Sequence, residues 1–155
     1  MTPDQKRMSG LAKTVFRLNG LFVSVGEELA RPAGMTASWW LVLGTVLSEP
    51  RTVADIARDV GVTRQSVQRT ADLLVSRGLA EYRPNPAHRR AKLLTPMEPG
   101  RAAIGRIGPA HRWYAKMLIG EIGAEEAERM LDVLRALSAA LDRIGLPSDQ
   151  LMATG

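Results

Sequence analysis

Residues 52–79 read TVADIARDVGVTRQSVQRTADLLVSRGL, and this stretch decides the fold. Thr52 stands three residues before Asp55, an approximate capping box in which hydroxyl and carboxylate satisfy the free N–H groups of a helix start. The helix runs from Val53 to Val60, and Gly61 stops it. Thr63 caps the next helix, Arg64 to about Arg77, with Val67, Ala71, Leu73 and Leu74 apolar and Gly78 as its stop. Two helices joined across the short turn Gly61-Val62-Thr63 form a helix-turn-helix.

The second helix of such a unit offers polar and basic side chains over its N-terminal half, where they reach base edges in the major groove of double-stranded DNA. With Val67 and Ala71 turned inward, Arg64, Gln65, Gln68 and Arg69 face outward, Thr63 heads the helix, and Ser66 is placed to reach a phosphate. Arginine suits the paired acceptors of guanine, and glutamine bonds adenine bidentately. Acidic residues are missing from Thr63 to Ala71, which favours this reading over the alternative of an ordinary solvated face.

Working outward, Leu79–Arg83 and Ala91–Leu94 are short extended segments separated by PNPAHRR, residues 84–90, and predict a hairpin with a basic tip. Arg83, Arg89, Arg90 and Lys92 are its candidates for a neighbouring minor groove, whose negative potential attracts arginine. A charged tip that serves solubility is the alternative. The charge distribution bears on both. Residues 1–50, 51–92 and 93–155 carry net charges of +1, +5 and −1, so the middle segment holds the whole +5 excess of the chain.

Before this unit, Pro3 to Ala30 predicts one helix of some 27 residues, about 40 Å long. In it Leu11, Val15, Leu18, Phe22, Val25 and Leu29 alternate steps of four and three, a heptad stripe. Arg31-Pro-Ala-Gly34 breaks it, and Thr36 caps an apolar helix reaching Leu47, which Glu49-Pro50 ends. After the hairpin, Thr95-Pro-Met-Glu98 supplies a second capping box, with proline at the first helical position, for a long helix that Gly105, Gly108 and Pro109 would bend. The last helix, Ala124 to Ile144, carries Met130, Leu134, Leu137, Leu141 and Ile144 at heptad spacing, and Gly145 and Pro147 follow it. Packing within the chain accounts for part of both stripes, and pairing with a second copy accounts for their ends. The expected fold is mainly α with a small β-hairpin wing, in one domain: a winged helix-turn-helix over about residues 35–95, with helical dimerisation parts at about 3–31 and 96–146.

Composition excludes several classes. No cysteine is present, which removes disulfides, thiolate catalysis and cysteine-based zinc sites. The two histidines, His88 and His111, have no metal-ligand spacing, and no phosphate-binding glycine loop or nucleophile motif occurs. Glu125, Glu126 and Glu128 sit at a helix start, where they complement the dipole. No catalytic residue, metal or cofactor is therefore expected. MTPDQKRMSG leads into no apolar leader core, and the most apolar run, Ala37 to Leu47, falls far short of the ~20 residues that span a bilayer. These features predict a soluble cytoplasmic protein without a membrane partner.

The order of long helix, apolar helix, Thr52-Val-Ala-Asp-Ile-Ala57, Val62-Thr-Arg-Gln-Ser-Val-Gln-Arg69, Leu73-Leu-Val-Ser-Arg-Gly-Leu79, a wing ending in His88-Arg-Arg-Ala-Lys-Leu-Leu94, and Gly100-Arg101 resembles MarR-family regulators over roughly residues 8–145. The resemblance implies a homodimer, paired through its terminal helices, that binds a pseudo-palindromic operator, and repression as the usual outcome. Arg90 matches the family's wing arginine, whereas the aspartate usual two positions before it is His88 here. Leu94-Thr95 matches as well, but Pro96-Met-Glu-Pro99 lengthens the spacing to Gly100-Arg101. Many members release DNA when a small aromatic or phenolic compound binds. By that resemblance Trp39 and Trp40, with His111, Trp113 and Tyr114, are the candidates for an effector pocket, against the alternative that adjacent tryptophans on an apolar helix are core. Neighbours on a helix lie about 100° apart, so one tryptophan is expected to face the buried centre and the other the pocket. A winged helix used only for protein–protein contact is the rival reading, and it requires an acidic or apolar face where this chain has Arg64, Gln65, Gln68 and Arg69.

Overall fold

A computed structural model describes residues 1–148. The chain divides into two compact units, residues 1–111 and a second beginning at Arg112. The first opens with α1 (Pro3–Ala30), where Thr2 and Gln5 complete a capping box: Gln5 N–H donates to Thr2 Oγ1 at 3.2 Å and Thr2 N–H to Gln5 Oε1 at 2.7 Å. A single 3-10 turn, Arg31–Ala33, leads to Gly34 at φ 71° and then to α2 (Ala37–Thr45), capped by Thr36. Next come β1 (Arg51–Thr52), α3 (Val53–Val60), α4 (Arg64–Ser76), β2 (Ala80–Arg83) and β3 (Leu93–Pro96). Residues of both units lie on α5 (Glu98–Ile122), and α6 (Ala124–Ile144) lies in the second.

The core sits beneath the helix-turn-helix. Leu43 and Val46, near the end of α2 and just past it, pack with Ile56 of α3, Val67, Ala71 and Leu74 of α4, Leu94 of β3 and Ile107 of α5, all 0 or 1% exposed. These positions place one face of α4 inward and commit the opposite face to solvent. Gly61, at φ 69°, ends α3, with Val62 N–H donating to Ala57 O at 3.2 Å. The end of α4 is built the same way: Gly78 is at φ 69° and Leu79 N–H reaches Leu74 O at 2.9 Å. Both glycines hold left-handed backbone that a side chain would strain.

The sheet is antiparallel in the order β1-β3-β2, with Arg51 opposite Leu94 and Tyr82 also opposite Leu94. Two expectations need correcting. The strand β1 was not foreseen, and the second hairpin strand lies at Leu93–Pro96 rather than Ala91–Leu94. Consequently Thr95 and Pro96 do not open the long helix; they pair with Glu81 and Ala80. Burial decides this, because Leu94, Thr95 and Pro96 are all buried in the sheet. Thr95 Oγ1 caps nothing and is buried without a hydrogen-bond partner. Proline is tolerated at the end of a central strand because β1 reaches only Leu93 and Leu94, so its missing N–H costs no ladder bond there.

The first turn of α5 rests on the corner between α4 and β2. A Cβ on Gly100 would lie 2.1 Å from Leu79 O, so backbone approaches backbone there, and Arg101 Nη1 donates to Leu47 O at 3.1 Å. Pro109 is accommodated inside α5. Only Ala30 is buried on α1, and no residue of α6 is. Among the described residues no helix is long and apolar enough to cross a membrane.

Candidate nucleic-acid interface

Thr63 heads α4 with extended backbone, and its Oγ1 accepts from Ser66 N–H at 3.1 Å. Its hydroxyl oxygen is therefore committed to the cap that orients the helix. Because Val67, Thr70, Ala71 and Leu74 are buried, Arg64, Gln65, Gln68 and Arg69 are exposed on the outer face, as the spacing predicts. Ser38 and Thr70 hydroxyls, 3.1 Å apart, tie α2 to the inner side of α4.

The outer face of α4 meets the wing in a cleft of about 510 Å³. Arg64, Gln65 and Gln68 line one side, Tyr82, Arg90 and Lys92 the other, and Thr52, Val53 and Ala54 close it at the start of α3. Thus five of the ten residues singled out for DNA share one concavity. Thr63, Ser66, Arg69, Arg83 and Arg89 lie outside it, and all five are exposed. Among the described residues no carboxylate pairs with Arg64, Arg69, Arg89, Arg90 or Lys92, whereas Arg83 is held by Glu81, with Nη2 2.5 Å from Oε1. At the wing tip, Asn85 Oδ1 accepts from Ala87 N–H at 3.0 Å and Asn85 O from His88 N–H at 3.2 Å. This Asx turn shapes a loop in which His88 stands where the resemblance has an aspartate.

Sequence reasoning missed Asp72 and Tyr82. Gln68 Nε2 lies 2.9 Å from Asp72 Oδ1 and 2.9 Å from Tyr82 OH, and Tyr82 OH donates to Asp72 Oδ1 at 2.6 Å. Burial of the phenol, then the hydrogen bond and charge of Asp72, push the Tyr82 pKa well above the ordinary tyrosine value. Asp72 falls four residues after Gln68, a helical spacing that would have brought the two together; Tyr82 arrives only through the strand.

The five aromatic candidates do not share one wall. Trp39 and Trp40 are both half-buried, so neither is the fully buried member expected. The Arg77 guanidinium lies 5.5 Å from the Trp39 ring centroid, and Trp40 meets His111 edge-on at 5.0 Å. In the second unit Trp113 and Tyr114 contact each other at 6.4 Å. Of the five, Trp40 alone lines an apolar groove of about 750 Å³ among α1, α2, the α3–α4 turn and α4. Phe22, Val23, Leu41, Val42 and Val67 form its apolar walls, and Ser66 and Thr70 its edge on α4. Among the described residues no group of three or more His, Asp or Glu is placed to hold a metal ion.

The sequence model of the MarR family matches residues 33–91, which include the helix-turn-helix and most of the wing. An uncharacterized protein of Mycobacterium tuberculosis is 38% identical over 131 residues, 84% of this chain and 92% of that protein. Among solved structures, a MarR mutant from E. coli complexed with operator DNA superposes with a TM-score of 0.73 at 21% identity, covering 84% of this chain and 95% of that one. CouR from Rhodococcus jostii, bound to p-coumaroyl-CoA, superposes with a TM-score of 0.69 at 21% identity over 82% of this chain and 90% of its own. At such identities the likeness is one of fold, and it agrees with the mainly helical chain and its three-stranded sheet. By the family model's match over the helix-turn-helix and most of the wing, the chain belongs to the MarR family, and it has the winged helix fold of the solved members.

Proposed function

We propose that this protein binds double-stranded DNA sequence-specifically as a homodimer on a pseudo-palindromic operator, and represses transcription until a small aromatic or phenolic effector releases it. The observation that carries this reading is the cleft in which Arg64, Gln65 and Gln68 of α4 face Arg90 and Lys92 of the wing. Three cations converge there without a carboxylate partner among the described residues, beside amides suited to base edges. Arg69 and Arg89 extend the positive surface on either element, and Thr63 and Ser66 supply hydroxyls at the helix start. Arg83 contributes less, because Glu81 offsets its charge. A module serving only protein contact would not need this convergence of guanidinium and amide groups.

One winged helix covers few bases, so symmetric half-sites about 34 Å apart require two copies. Leu11, Val15 and Phe22 on α1 and Met130, Leu134 and Leu141 on α6 are 42 to 62% exposed in the single chain, which supports pairing through the terminal helices. For the effector, the apolar groove at Trp40 is the candidate, since a ligand there would press on α4 along Ser66, Val67 and Thr70. Trp39 and His111 flank Trp40 through the α2 backbone and the ring contact, and Trp113 and Tyr114 form a separate aromatic pair.

Selection of bound sequences from random DNA tests the reading. The expected result is a palindromic consensus bound at least about a thousand-fold tighter than unrelated DNA, with affinity falling steeply as salt rises. Equal binding to all sequences would sink it. Titration of the operator complex with phenolic acids, followed by tryptophan fluorescence and by DNA release, tests the effector.

A further inference from the structure

Gln68, Asp72 and Tyr82 form a closed triangle where α4 meets β2. Gln68 Nε2 stands 2.9 Å from each of Asp72 Oδ1 and Tyr82 OH, and those two oxygens are 2.6 Å apart. The chemistry of the atoms permits one arrangement of protons. A carboxylate only accepts, so the phenol donates to Asp72, and its raised pKa keeps that proton in place. Its proton spent, the phenol oxygen can only accept. Gln68 must therefore present its nitrogen to both partners, because the swapped amide would set Oε1 against two oxygens with no proton between them. Oε1 is left as the free end of the amide, in a side chain that lines the cleft between α4 and the wing.

The four bases differ in what they offer such an acceptor. In the major groove adenine presents its N6 amino group and cytosine its N4 amino group, whereas guanine and thymine present acceptors at the corresponding positions. An unrestrained glutamine turns either end to the base and tolerates all four. We propose that Asp72 and Tyr82 are positioning residues that lock the Gln68 amide with its oxygen outward, so that Gln68 selects adenine or cytosine over guanine or thymine at one position of each half-site. This inference rests on the DNA-binding reading of α4. It adds to it a direction of base preference and two residues that touch no base.

The experiment uses the full chain and the operator obtained by selection, with every base tested at every position of one half-site. Gln68→Ala identifies the position that Gln68 reads as the one whose preference it flattens. There the wild-type protein is expected to favour adenine or cytosine by about ten-fold. Tyr82→Phe is expected to shrink that preference several-fold, and to have no further effect on base preference in the Gln68→Ala background. A merely structural role for Tyr82 would instead weaken binding to all sequences, in both backgrounds. Asp72→Ala, at an exposed position, is the second variant should Tyr82→Phe fold poorly, and the same relaxation is expected. Preference for guanine or thymine at the Gln68 position, or an undiminished preference in the two variants, would overturn the inference. A Gln68→Ala protein that keeps every preference would overturn it too. If the wild-type protein selects no sequence at all, the DNA-binding reading fails first and takes the inference with it.

Discussion

Arg64 and Arg83 carry the same charge into different surroundings. Arg83, its side chain 62% exposed, is paired with Glu81 in a surface ion pair of the kind that contributes at most about 1 kcal/mol and cancels most of the field that DNA would meet. Arg64 has no carboxylate partner among the described residues and lines the cleft with Arg90. Arg64→Ala is therefore expected to weaken operator binding by about 1–3 kcal/mol, roughly five- to 150-fold, and Arg83→Ala by less than a third of that energy. Fluorescence anisotropy across a salt series measures both. Loss of a phosphate contact at Arg64 or Arg90 also lowers the salt slope by about one, whereas an Arg64 that reads a base leaves the slope nearly unchanged and relaxes preference at one position. Equal losses for Arg64→Ala and Arg83→Ala would show that local pairing does not decide which arginine counts. The outward set Arg64, Gln65, Gln68 and Arg69 was legible in the sequence because the apolar residues of one helix fix its inner face. What each side chain is already bound to was not legible, since Tyr82 reaches Gln68 through a separate strand.

At the level of elements, capping chemistry made the helices readable, while the sheet depended on pairing between segments far apart in sequence. Thr52 caps α3 as expected, its Oγ1 accepting from Asp55 N–H at 3.1 Å while its hydroxyl donates to Asp55 Oδ2 at 2.7 Å. That hydrogen bond from Thr52 is the main reason the Asp55 carboxyl is held below its ordinary value of 3.8, against the opposing effect of desolvation, with Arg58 adding to the lowering. A depressed pKa means that the unfolded chain takes up this proton more readily than the folded one. The contribution of Asp55 is thus fully present above the unfolded value and is lost as pH falls below about 4 through the folded value. Urea unfolding of the wild-type protein and Asp55→Asn at pH 7 and at pH 3 is expected to show a gap in stability at neutral pH that narrows in acid. A gap that widens in acid would reverse the assignment. The same Thr-x-x-acid pattern misled at Thr95, because the two-residue β1 is too short to show alternation and burial of Leu94, Thr95 and Pro96 outweighs a helix cap. Gly100 marks the close approach that follows. Gly100→Ala is expected to destabilise the fold by about 1–3 kcal/mol, measured by urea denaturation, because a methyl group has no room beside Leu79 O.

For the molecule as a whole, the heptad stripes raised the question that the single chain leaves open to a partner. Of the 28 residues of α1 only Ala30 is buried, although Leu11, Val15, Leu18 and Phe22 repeat at the spacing of a packed seam. A single helix of this length would lose apolar contact along most of its stripe, and a second copy is the partner that symmetry and operator geometry both favour. Val15→Glu together with Phe22→Glu places charge in that seam at positions 42 and 62% exposed in the single chain, so the core beneath α4 is left untouched. Sedimentation at micromolar concentration is expected to find a wild-type dimer and a variant monomer with the same helical content by circular dichroism. Operator binding then separates the two roles of the molecule. The variant is expected to retain weak, salt-sensitive binding through its single cleft and to lose most of the discrimination for the full palindrome, because two linked half-sites multiply their preferences and one alone does not. A wild-type protein that sediments cleanly as a monomer, or a monomeric variant that binds the palindrome as tightly as the wild type, would remove the dimer from the mechanism and leave the cleft to act alone.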